Sequence, residues 1–113
     1  MSRWTRYNMM SINGHVGRLS IPPAPGVYVI YFDGTPVYVG QSANVKARLG
    51  SYKFRYGYAR NIHTPWMELA DSVAVTVKVK CSRRMGDWAM WEIRLISRLQ
   101  PEFNTHHLRR RAA

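Results

Sequence analysis

The chain holds one cysteine and only six carboxylates among its 113 residues. With Cys81 alone, neither an internal disulfide nor a multi-cysteine zinc site can form, and nothing argues for an oxidising compartment. A reducing, cytoplasmic setting is therefore expected. No apolar run approaches the roughly 20 residues that span a bilayer, and the opening "MSRWTRYNMM" lacks the apolar stretch of a signal peptide, so no membrane partner is expected. The few acids also limit the chemistry. Asp33 sits in a turn signal, Asp87 at a helix start, and Glu68, Asp71 and Glu102 have no spacing relation to Glu92, so a cluster of carboxylates converging on two metals is not in view. His15, His63, His106 and His107 form neither a zinc-ligand spacing nor a Ser-His-Asp pattern.

Positive charge is abundant instead. Seventeen Lys and Arg give a net charge of +11 and a pI near 10.6. That excess predicts a polyanionic partner, nucleic acid first, without separating a binder from an enzyme. The length suits one domain. Residues 1–24 mix Arg3, Arg6 and Arg18 with aromatics in no sustained period and read as an irregular basic arm. Residues 25–105 carry all the periodic segments and read as one folded domain. Residues 106–113, "HHLRRRAA", read as a basic tail in which Arg109 and Arg110 are candidate phosphate contacts.

Within the folded part, "GVYVIYFDGTPVYVG" is a hairpin pattern with Asp33-Gly34 as turn signal and Pro36 near the turn, where a missing donor is tolerated. A two-residue loop would put Tyr28 and Tyr38 on opposite faces. A Phe32-Asp33-Gly34 loop with a bulge pairs Tyr28 with Tyr38 and collects Val27, Val29, Val37 and Val39 on the other side. The second register is preferred because it separates a valine core face from a tyrosine face. Ser42 suits an N-cap for a short helix from about Ala43 to Leu49, ended by Gly50. "SVAVTVKVK" alternates as a strand with one buried face, and "GDWAMWEIRLISRLQP" predicts a helix from Asp87 to about Leu99, closed by Pro101. The expected fold class is mixed α+β, a small three-stranded antiparallel sheet flanked by helices.

Two features call for chemistry. Glu92 lies inside the apolar stripe of Trp88, Leu95, Ile96 and Leu99, where a carboxylate is either ion-paired or functional. Gln41, Arg48 and Tyr52 fall at spacings of seven and four, one helix face, and an arginine beside tyrosines can hold a phosphate bidentately. The segment "SYKFRYGYARNIHTPW" interleaves Lys53, Arg55 and Arg60 with aromatic rings, a composition suited to phosphates and base faces or to inward rings with solvated charges.

These blocks resemble the GIY-YIG nuclease superfamily over residues 25–104. "GVY" at 26–28 and "YVG" at 38–40 look like its two name motifs, "QSANVKARLGSY" like its first helix, and "AMWEIRLISRLQPEFN" like its glutamate helix ending in Pro, aromatic, Asn. The resemblance implies metal-dependent hydrolysis of DNA phosphodiesters, duplex or branched. It implies Tyr28 and Tyr38 as active-site tyrosines, with Tyr28 activating water, Arg48 as the phosphate-binding arginine and Tyr52 as an auxiliary residue. Glu92 becomes the ligand of a single Mg²⁺ (or Mn²⁺), and Asn104 closes the site. Gln41 departs from the lysine that repair-type members often carry after the second motif. Gln41, Lys46, Lys53, Arg55, Arg60, Arg3 and Arg6 join the tail as candidate DNA contacts. A homodimer is compatible with this reading, and a non-cleaving nucleic-acid-binding module on the same fold is the alternative.

Overall fold

The computed structural model describes residues 4–8, 20–50 and 74–104. Along these run β1 (Thr5–Asn8), β2 (Gly26–Phe32), β3 (Thr35–Ser42), α1 (Val45–Gly50), β4 (Val75–Cys81) and α2 (Met85–Leu99). The strands form one antiparallel sheet in the order β1-β4-β2-β3. The sheet thus has four strands instead of the expected three. The added strand comes from the segment read as an irregular arm. Thr5–Asn8 pairs with Val79–Thr76 although it has no apolar alternation of its own, because the hydrogen bonds of an open edge need no side-chain pattern. None of the helices among the described residues is long and apolar enough to cross a membrane.

β2 is central and is buried on both faces, as its nearly continuous apolar run requires. One face carries Tyr28, Ile30 and Phe32 with Val75, Val77 and Val79 of β4, packed under Ile21 and under Val45 and Leu49 of α1. The other carries Val27, Val29 and Val39 beneath Leu95 and Ile96 of α2. The β4 valines therefore share a core with the tyrosines, not with Val27, Val29 and Val39.

The hairpin combines parts of both expected registers. Asp33 and Gly34 form a two-residue turn, both with positive φ (51° and 84°), the twist that antiparallel strands favour. Asp33 is held in place by its own N–H on the carbonyl of Ala74 (2.8 Å) and by its Oδ1, which accepts from the Ala74 N–H (2.9 Å). A bulge then shifts the pairing between Ile30 and Tyr31, so Tyr28 lies opposite Gly40 and Ile30 opposite Tyr38. The tyrosines still share a face, diagonally and not as a direct pair. Val37 is turned by the bulge into the tyrosine-side core, away from the valine face.

Both helices start elsewhere than expected. Asn44, not Ser42, caps α1: its Oδ1 accepts from the Ala47 N–H at 3.1 Å, while the Ser42 Oγ accepts from the Asn44 N–H. α2 begins at Met85, and Asp87 sits in its first turn, where a carboxylate suits the helix dipole and its Oδ2 accepts from the Ser82 hydroxyl. Gln100, in the left-handed conformation (φ 45°), ends α2 by donating its N–H to Ile96 before Pro101.

Candidate active site around the edge strand

β3 is an edge strand of the described sheet, and four consecutive residues of it, Tyr38 to Gln41, each engage one of three candidate residues, Tyr28, Asn104 or Glu92. The Tyr38 ring lies 6.3 Å from that of Tyr28, tilted by 40°. Val39 is gripped by Asn104: the Val39 N–H donates to Oδ1 at 2.8 Å and Nδ2 donates to the Val39 carbonyl at 2.9 Å. The buried amide of Asn104 thus pairs with β3 as a further strand would, and the Phe103 N–H on Val37 O (2.9 Å) continues that edge. Gly40 lies beneath Tyr28. A Cβ there would sit 2.5 Å from the ring carbon Cζ and closer still to the hydroxyl. Gly26 answers a similar demand from β4, since a Cβ would stand 2.5 Å from the carbonyl oxygen of Lys80. Gly26 and Gly40 are thus required by close approach of a neighbouring strand or ring.

Gln41, the fourth residue, donates from Nε2 to Oε1 of Glu92 at 2.9 Å. It belongs to β3 and faces α2, not to the α1 face on which its spacing from Arg48 put it. Glu92 is half-buried, and burial pushes its carboxyl above the usual carboxylate range, with the Gln41 hydrogen bond opposing in part. Its partner is therefore a neutral amide, and Oε2 has no partner among the described residues. A partly buried carboxyl that keeps one oxygen open fits a hard divalent cation that keeps most of its waters, as Mg²⁺ does. No group of three or more His, Cys, Asp or Glu side chains gathers among the described residues.

Tyr28 is fully buried and Tyr38 half-buried. Arg48 is exposed in the last turn of α1, with Lys46 half-buried two residues before it. The structure therefore sets the candidates along β3, Tyr28 and Tyr38 on the face packed by α1, which carries Arg48, Gln41 and Glu92 on the face packed by α2, and Asn104 on the backbone edge between them. Arg6 sits on β1, away from this edge, 5.8 Å from the ring of Tyr31. Tyr52, Arg3, Lys53, Arg55, Arg60, Arg109 and Arg110 lie outside the described residues. Sequence reasoning placed Gly40 only within a motif.

This architecture is that of the GIY-YIG endonuclease domains. The chain superposes on crystal structures of the GIY-YIG N-terminal endonuclease domain of UvrC from Thermotoga maritima, one bound to its catalytic divalent cation, magnesium, and one a point mutant bound to its catalytic divalent cation. The TM-score is 0.60 for both, at 21% identity, with 81% of this chain covered and 93% and 92% of those chains. Residues 24–105 match the model of the UvrC-like GIY-YIG domain, and the chain belongs to that family. Among its relatives are the UvrABC system protein C of Brucella abortus, 35% identical over 82% of this chain, and that of Nitrosococcus oceani, 30% identical over 75%. The chain spans only 14% of the length of either relative.

Proposed function

We propose that this protein is a divalent-metal-dependent endonuclease that hydrolyses DNA phosphodiesters at the β3 edge, with Glu92 as the one protein ligand of Mg²⁺ or Mn²⁺. The observation that carries the reading is the run Tyr38 to Gln41, through which tyrosine pair, asparagine lock and desolvated glutamate are bound to one strand. The cation supplies neutralisation of the phosphate and leaving oxygens when bound. The chain's own groups do the rest. Tyr38, the more exposed tyrosine, as phenolate takes the proton of the attacking water while Tyr28 fixes the Tyr38 ring from behind. This reverses the roles expected from the resemblance, because a fully buried ring is poorly placed to meet water. Arg48 neutralises charge that develops on the nonbridging oxygens. Gln41 orients the Glu92 carboxylate, and Asn104 holds the backbone of Val39 between the two tyrosine-bearing positions. One such site cuts one strand, so the expected product is a nick.

The test is cleavage of supercoiled plasmid with Mg²⁺, with Mn²⁺ and with chelator. Nicking is expected only with a divalent cation, and Arg48→Ala should slow it by about 10²-fold, the scale of losing one charge-stabilising donor. Absence of cutting with both metals would leave the non-cleaving binding module standing instead.

A further inference from the structure

A second basic site lies on the other flank of α2. Trp91, Arg94 and Arg98 follow one another at i, i+3 and i+7, a single helix stripe. They face the outer half of the sheet, where Lys80 of β4 and Trp4 beside β1 stand. Lys80 Nζ is 4.3 Å from the Trp91 ring centroid and 5.7 Å from that of Trp4. These five side chains and Leu95 line an open groove of about 310 Å³. Two residues before Lys80 on β4, Lys78 lies 5.5 Å from the Tyr31 ring centroid, and Arg6 of β1 lies 5.8 Å from it. No carboxylate lines the groove among the described residues.

The arrangement carries avoidable internal repulsion. Arg6 is directly opposite Lys78 across the β1-β4 ladder, and Arg94 is four residues from Arg98 on an exposed helix face, both like-charge placements that cost stability. A polyanion removes that cost. Aromatic faces alternating with cations are also what an unpaired nucleic-acid strand uses, bases stacking on rings and phosphates meeting the charges. The contact of Lys80 with the indoles engages its charge and leaves its three N–H donors for phosphate oxygens.

We propose that this groove binds unpaired single-stranded DNA, with a base stacked on Trp4 or Trp91 and the adjoining phosphates on Lys80, Arg94 and Arg98. The proposal rests on the nuclease reading for its choice of polymer. Glu92 is on the flank of α2 toward β3 and Trp91 on the flank toward β4. A helix is about 10–12 Å across and a stacked strand advances about 3.4 Å per nucleotide, so the stacked base lies roughly three nucleotides from the cleaved bond. The groove thus selects substrates unpaired beside the cut.

Anisotropy titration of the full chain with labelled oligothymidine of about 12 nucleotides, and with a hairpin duplex of equal length, tests this in chelator, where no cleavage occurs. Trp4→Ala should weaken oligothymidine binding about tenfold and duplex binding less than about threefold, with Trp4→Phe restoring most of the loss. The paired substitution Arg94→Gln with Arg98→Gln, both exposed positions, should lower the single-strand salt slope by about 1.4, and it carries the test should Trp4→Ala fail to fold. Unchanged oligothymidine affinity and salt slope would overturn the proposal, as would displacement of the DNA by an equally charged polyglutamate at matched concentration. Because binding is read without metal, a protein that never cuts plasmid would sink the nuclease reading while leaving this result intact.

Discussion

Glu92 keeps a carboxyl partly out of water at a cost to the fold. Its carboxyl is raised by burial, so the folded value exceeds the unfolded one. Its stabilising contribution is then complete below the ordinary carboxylate range and is lost as pH rises through the raised value, where the metal-free protein carries a desolvated charge. Glu92→Gln removes that titration while an amide oxygen can still accept from Gln41. The metal-free variant should melt at a higher temperature than the parent at neutral pH, the two should converge in acid, and plasmid nicking with Mg²⁺ should disappear; melting curves at both pH values and the nicking assay check this. Gly40 makes the opposite case, a residue whose value lies in having no side chain. Gly40→Ala would force a methyl against the ring of a fully buried tyrosine, so a loss of about 1–3 kcal/mol in a denaturant titration is expected, together with a displaced Tyr28 and slower cleavage.

Among the elements, β3 has the largest part. As an edge strand it would present unpaired backbone groups, and residues 103–104 cover them, so the segment that protects the edge is also the one that completes the candidate site. The bulge does similar double service by bringing Tyr38 diagonal to Tyr28 while returning Val37 to the core. The turn, by contrast, is far from the chemistry. Gly34 has φ 84° with open space around it, so Gly34→Ala should cost about 1 kcal/mol through backbone strain alone and leave the nicking rate at saturating DNA unchanged. A large fall in rate would show that the hairpin register is set by the turn and not by the two cores.

For the whole molecule, the net charge of +11 sets the terms of association. DNA affinity should fall with salt by about 0.9 logarithmic units per tenfold for each phosphate neutralised on duplex. Replacing Arg109, Arg110 and Arg111 by glutamine should flatten that slope without altering the rate at saturating DNA, a difference that binding isotherms at several salt concentrations resolve. The two flanks of α2 divide the labour in this scheme, one offering a carboxylate to a cation and the other offering cations to a polyanion.

The existence of a hairpin, a short helix, an alternating strand and a long amphipathic helix was legible in the sequence because burial along one element leaves a period in that element. The acid at Glu92 was legible as a departure from that period, and the tyrosines as a repeated triplet on the two arms of the hairpin. Tertiary structure alone decided which distant segments meet. Gln41 reaches Glu92 across 51 residues and Asn104 reaches Val39 across 65. β1 adds itself to β4 by backbone hydrogen bonds that leave no mark on side-chain pattern, and a bulge moves Val37 between cores that periodicity kept apart. Local periodicity records which side of an element is buried. It carries no record of the partner that buries it, and the candidate site is made entirely of such partnerships.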